Sequence, residues 1–331
     1  MMVCKISRRD FLKIIAGASL VAAGLGIVGR YLGIFGRRGP LREKEIKPNP
    51  YIVNGKSLVS FVRGHDVNKM VEESIKAIGG IEKLVKPGSI VLIKPNVGFS
   101  NPDAVASPKV VSAVIRVVQR ANPAKIIIAE SAVRGYDTSR NFEVTGIAEV
   151  AKELGVDLID LDRYGEVVRV KTNGGVKLKD VRVFKQVLDA DVVISIPKLK
   201  RHSAATVTIS LKNMMGAIPD GEKGMFHILG LHQCIADLNT VVKPDLSIVD
   251  ATEVMTVSGP GHGKMVPGNA IIAGGDPVAV DLIAARYLFE LEGSINPLND
   301  AMNVKHIRLA AQLGVGTNDL SKVRVIERRT D

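Results

Sequence analysis

Asp191 to Gly216 reads DVVISIPKLKRHSAATVTISLKNMMG. The run Val192–Ile196 is short, apolar and β-branched, bounded by Asp191 and Pro197, and so predicts a buried strand. Lys198, Lys200, Arg201 and His202 follow at once. In an extended segment the two-residue period places Lys198, Lys200 and His202 on one side. Ser203 then reads as the cap of a helix running to Met215 and closed by Gly216. Cations and an imidazole at a helix N-terminus make an anion site, because the free N–H groups and the helix dipole add to their charge. The alternative is a solvated basic loop.

Working outward, the pattern repeats. Ile90–Ile93 reads as a buried strand followed by Lys94-Pro95-Asn96, and Lys125–Ala129 as one followed by Glu130-Ser131. Asp157–Asp160, Leu246–Val249 (followed by Asp250) and Ala270–Ala273 read as further strands, with Leu58–Val62 and Val323–Ile326 near the ends. Helices are expected from Asn68 to Ile78, from Pro108 to about Ala121, from Glu143 to Leu154, from Ile228 to Val241, from Pro277 to about Leu291 and from Asp300 to Leu313. Val167–Lys171, Val176–Leu178 and Val181–Phe184 read as a small strand-rich insertion near 165–185. Strands alternating with helices predict an α/β fold, a mostly parallel sheet with helices on both faces. Ligands of such sheets gather outside the carboxyl ends of the strands. The expected edge carries Lys94, Asn96, Glu130, Lys198–His202, Asp250 and Asp276, with Asp276 also explained as a cap before Pro277.

The chain has 331 residues, 46% hydrophobic and 4% aromatic, without Trp. An aliphatic core is implied, and base stacking on aromatic platforms is poorly supported. Of the net charge of +11, the first 40 residues hold seven Lys/Arg and one Asp. The rest carries 38 basic and 33 acidic residues, which suits small anions and is no nucleic-acid signature. Cys4 and Cys234 are the two cysteines, too few for a cysteine-ligated iron–sulfur cluster in the body. Cys234, among helical apolar neighbours, reads as a core residue. Gly259–Lys264 lacks the spacing and the Ser/Thr of a P-loop.

Ser7-Arg8-Arg9-Asp10-Phe11-Leu12-Lys13, followed by apolar Ile14 to Gly29, resembles the twin-arginine export signal. The resemblance implies passage through the twin-arginine translocase to an extracytoplasmic location, as a folded protein that often carries its cofactor. Residues 1–36 read as that signal or as an N-terminal membrane anchor, with membrane contact confined to this segment; 37–56 read as a linker, and 57–331 as the α/β domain.

Ile90–Asn96, Ala190–Lys200 with His202, Ser210–Asn213 with Gly216, Lys243–Leu246 with Asp250, Gly259-Pro260 and Asp276–Asp281 together resemble the domain of unknown function 362 (DUF362) family, over roughly residues 58 to 291. The resemblance supports the site edge and names no reaction. Members are often labelled iron–sulfur proteins for a ferredoxin-type cysteine module, which this chain lacks.

Three readings follow. In the first, an enzyme binds a small carboxylate or phosphate: Lys198, Lys200 and Lys212 hold the anion, Asn96 and Asn213 orient it, and Lys94, Glu130 or His202 moves a proton. In the second, a divalent metal sits on His227, His232 and Asp250, with His202, His262 or Asp237 as other ligands; against it, His227 and His232 are five residues apart and no H-E-x-x-H occurs. In the third, the same basic edge belongs to a non-catalytic binding protein of the cell envelope.

Overall fold

A computed structural model describes residues 41–331 apart from residue 46. The twin-arginine segment and the apolar run behind it lie outside the described residues. The strands, in chain order, are β1 (Lys56–Arg63), β2 (Ile90–Pro95), β3 (Lys125–Glu130), β4 (Asp157–Asp160), β5 (Val167–Lys171), β6 (Asp180–Phe184), β7 (Val192–Ile196), β8 (Lys198–His202), β9 (Thr206–Thr208), β10 (Leu246–Thr256), β11 (Lys264–Gly274) and β12 (Val323–Arg329). The main sheet runs β12-β1-β11-β10-β7-β2-β3-β4. Its pairs are parallel except the two made by β11, which runs against β1 and β10.

The pleat decides which residues go where. Val91 and Ile93 face one apolar cluster and Leu92 the other; Ile126 and Ile128 oppose Ile127 and Ala129 in the same way. A strand buried on both faces must be apolar throughout, which is why these segments read as continuous runs. Helices α1 (Val67–Ala77), α2 (Pro108–Gln119) and α3 (Ile147–Leu154) cover one face. On the other lie α4 (Ser210–Asn213), α5 (Asp220–Leu229), α6 (Leu231–Val242), α7 (Pro277–Leu291) and α8 (Lys305–Gln312). Cys234 is fully buried in α6.

Several segments differ from expectation. The helix expected from Ser203 is a hairpin: β8 pairs antiparallel with β9, and the helix starts only at Ser210. Its first N–H groups are taken, because the buried Asp281 carboxylate accepts from Ser210 N (2.8 Å) and Leu211 N (3.0 Å). That helix start holds a carboxylate of the protein itself and is not an anion site. The expected helix 228–241 is two helices broken at Gly230, whose φ of 115° suits a residue without a Cβ. Asp300–Leu313 likewise divides into Pro297–Met302 and α8. On either side of Gly259-Pro260, residues up to Thr256 belong to β10 and those from Lys264 to β11. Val176–Leu178 is no strand; its three N–H groups go to the Asp237 carboxylate. The end of the expected linker is folded: Tyr51 is fully buried and Ile52–Val53 pairs with β1.

Because β11 is reversed, its end at Gly274 lies beside the start of β10. Asp276 therefore sits on the amino edge of the sheet, opposite the expected edge. There it caps α7 through Val278 N and Ala279 N and accepts from Ser57 Oγ and Thr317 N.

Candidate functional site

The basic run becomes a wall because of where β7 ends. β7 stays in register with β2 up to Ile196, opposite Pro95. Past Pro197 the chain continues as β8, beside the distal part of β10, so it overhangs the carboxyl edge of β2. Below the overhang, α4 brings Lys212 and Asn213 back over the ends of β2 and β7. A cavity of about 630 Å³ opens between them. Asn96, Glu130, Lys200, His202, Lys212, Asn213 and His227 all line it.

Its floor is a closed ionic network. Lys94 Nζ donates to Glu130 Oε1 (2.8 Å) and Oε2 (2.7 Å) and to Asn213 Oδ1 (3.3 Å), with both charged side chains buried. Glu130 also accepts from Val97 N (3.2 Å) and Ser131 N (2.9 Å). Asn213 Nδ2 donates to Lys94 O and Ser195 Oγ. A Cβ at Gly216 would overlap Glu130 Oε1 and Lys94 Nζ, so glycine is required where the backbone crosses the pair. Burial lowers the Lys94 pKa, and the adjoining Glu130 opposes that shift.

The walls are different. Lys212 is partly exposed and has no hydrogen-bond or ion-pair partner among the described residues. Burial, with Lys223 and Lys94 nearby, brings its pKa down to about 8. Lys200 is buried; its Nζ donates to Ala104 O and lies 4.9 Å from the centre of the Phe99 ring. Burial and the charges of Lys212 and Lys198 hold its pKa well below the usual lysine value. His202 Nδ1 accepts from Ala204 N and Ala205 N, both at 3.1 Å. Its pKa is lowered to about 2 by burial and by Lys212 and Lys200. The imidazole is therefore neutral, with its proton on Nε2, and offers the cavity a donor. As held, its Nδ1 cannot take a proton, which leaves Nε2 as the atom through which it could move one.

One expected binder, Lys198, and one expected proton carrier, Lys94, stand outside the lining. Lys198 is buried 3.4 Å from Asp250 Oδ2, away from the cavity lining. Asp250 also accepts from Ser107 N, which starts α2, and from Thr252 N and Oγ1. Lys94 lies beneath the lining. The expected metal set does not assemble: His227 faces the cavity, His232 stacks on His306 with ring centres 5.6 Å apart, and Asp250 is held by Lys198. Among the described residues no group of three His, Cys, Asp or Glu side chains could hold a metal ion.

Sequence reading missed four contributors. Thr208 lies opposite Lys200 in the β8–β9 ladder and its hydroxyl has no partner. Lys223 of α5 ties that helix to the end of β3 through Ser131 O (3.1 Å) and Ala132 O (2.5 Å). Arg134 is exposed, and Phe99 supplies an aromatic wall. Only the β-branched run Thr206–Thr208 carried a signal, for the strand that delivers Thr208.

The family described as a domain of unknown function (DUF362) matches residues 91–286. The chain belongs to this family. Every DUF362 residue named above as lining the cavity falls inside the matched segment. A thylakoid-associated protein from Synechocystis sp. is 30% identical over 224 residues, 65% of this chain and 67% of that protein. Two solved structures align at 14% identity: a protein from Thermotoga maritima (TM-score 0.44, 75% of this chain, 60% of that one) and the lactate racemase apoprotein from Thermoanaerobacterium thermosaccharolyticum (TM-score 0.42, 70% and 57%). The chain thus spans less than two thirds of either structure.

Proposed function

We propose that the chain is an enzyme acting on a small organic anion, a carboxylate or phosphate, held in the cavity between α4 and the β8–β9 hairpin. The observation that carries this reading is Lys212: a cation on the cavity wall, without a partner among the described residues, beside two other lysines. A cation set beside other cations gains no stability from standing without a counter-ion, so the arrangement fits an absent anion. Lys212 and the His202 Nε2–H would bind the anionic head, with Lys200 beside Phe99 on the same wall. With a pKa of about 8, Lys212 is also the group poised to give or take a proton near neutral pH. Glu130, its oxygens occupied by Lys94 and two N–H groups, is a fixed counter-charge.

The test is a panel of carboxylates and phosphates incubated with the full chain in deuterated water and followed by proton NMR. Turnover or deuterium wash-in that is lost in Lys212→Met supports the enzyme. Saturable binding with no chemical change on any panel member would favour the non-catalytic reading instead.

We further propose export through the twin-arginine translocase, with membrane contact through the N-terminal segment. The motif Ser7–Lys13 and its apolar run support this, and a thylakoid-associated relative agrees with a membrane-related location. Among the described residues no helix is long and apolar enough to cross a membrane. Replacing Arg8 and Arg9 together by lysine should hold the protein in the cytoplasm; unchanged export would refute the route.

A further inference from the structure

Three lysines line the cavity, Lys200, Lys212 and Lys223, and Lys94 lies beneath it. Three of these four are engaged as donors to the protein. Lys94 donates to Glu130 and Asn213, Lys200 to Ala104 O, and Lys223 to Ser131 O and Ala132 O. An amine held as a donor keeps its proton, so its nitrogen lone pair is not free to attack. Lys212 differs. It is partly exposed, has no hydrogen-bond or ion-pair partner among the described residues, and its Nζ is not sealed in as Asn96 Oδ1 and Thr208 Oγ1 are. Its free end opens on the cavity. Burial first, then Lys223 and Lys94, bring its pKa down to about 8, so about a tenth of Lys212 is free amine at pH 7. A site that only holds an anion is served by a lysine that stays charged. Cations set beside that lysine work the other way and favour an amine nucleophile.

We propose that Lys212 is a nucleophile and that the substrate carries an aldehyde or ketone carbonyl next to its anionic group, as in a 2-oxo acid, so that the two form an iminium in the cavity. This rests on the anion-site reading above and adds the carbonyl to it. His227 lines the same cavity, and its ring has no partner among the described residues. Burial and Lys212 lower its pKa, so at pH 7 it is a neutral imidazole that can take the Lys212 proton. The freed nitrogen adds its lone pair to the carbonyl carbon. The carbonyl π pair moves to the oxygen, and one proton passes from nitrogen to that oxygen, giving a carbinolamine. His227 then returns its proton to the hydroxyl, the C–O bond breaks and water leaves, and the nitrogen lone pair closes the C=N bond. Nothing is oxidised or reduced. The positive charge of the ammonium reappears on the iminium, beside the anionic group of the substrate. An iminium withdraws electrons from its carbon, which eases loss of a proton from the next one.

Borohydride trapping on the full wild-type chain tests it, with 2-oxooctanoate and octanoate as probes. Eight carbons suit a cavity of about 630 Å³ walled by Phe99, Met215 and Pro260. Borohydride delivers hydride to the iminium carbon and leaves a secondary amine, which peptide mapping by mass spectrometry locates. The expected result is one reduced 2-oxooctanoate adduct, on Lys212. At pH 7.5 it forms about tenfold or more faster than on any other lysine, because a larger share of Lys212 is free amine. Excess octanoate slows it, and octanoate alone leaves no adduct. Calorimetric titration of octanoate into the same protein separates this inference from the reading beneath it. Saturable octanoate binding, with 2-oxooctanoate adducts absent or spread evenly over surface lysines, would overturn the nucleophile and leave the anion site standing. An adduct confined to Lys200 or Lys223 would overturn the assignment to Lys212. No octanoate binding and no adduct would overturn both.

Discussion

Lys94 and Lys212 reach the same corner of the molecule in opposite condition. Lys94 stands on the floor, its ammonium spread over Glu130 and Asn213; Lys212 stands on the wall with no partner among the described residues. Both have lowered pKa values, and in both burial is the largest cause. What separates them is the counter-charge: Glu130 is bound to one and merely near the other. Burying an ion pair is tolerable only when its hydrogen bonds are complete, and the floor meets that condition. The wall does not, so the floor reads as structure and the wall as a place for a ligand.

Breaking the floor should have the largest effect. Glu130→Ala leaves Lys94 buried without its carboxylate and should lower unfolding free energy by about 3–5 kcal/mol in urea titration. A loss below about 1 kcal/mol would mean that water replaces the carboxylate, and the floor would then be part of the site. Gly216→Ala should cost about 1–3 kcal/mol, since a Cβ there displaces Glu130 and Lys94 rather than the far end of a mobile chain.

The contrast also marks where sequence reading stops. Val91–Ile93, Ile126–Ile128 and Val192–Ile196 were legible as strands because a strand covered on both faces leaves no room for polar residues. The polar residues at the ends of these strands, Asn96 and Glu130, were legible as members of one edge for the same topological reason. Pairing was not legible. Lys198 and Lys212 look alike in sequence, and what distinguishes them is Asp250, 52 residues from Lys198 and brought beside it by the β8–β10 register. The actual helix start, at Ser210, is likewise closed by a distant residue, Asp281, 71 residues away. Residues 203–208 resemble a helix start because a Ser after a basic run resembles a cap, although Thr206–Thr208 is β-branched and pairs with β8.

A smaller effect sharpens the wall. Lys212→Met removes a cation that lies among Lys94, Lys200 and Lys223, so stability at pH 7 should hold or rise, within about 1 kcal/mol. The pH dependence has a definite sign. With the folded pKa near 8 and the unfolded one near 10.5, the unfolded chain binds more protons between those values. Wild type should therefore gain stability relative to Lys212→Met as pH rises from 8 to 10.5 in denaturant titrations. A relative loss over that window would mean that Lys212 is paired in solution.

Whether Lys212 holds an anion is decided by octanoate titrated into the full chain by calorimetry, at pH 7 and pH 9.5, with wild type and Lys212→Met. Wild type should bind saturably at pH 7 and at least tenfold more weakly at pH 9.5, where Lys212 has lost its proton, and Lys212→Met should bind weakly at both. Affinity that is independent of pH and unchanged in Lys212→Met would contradict it.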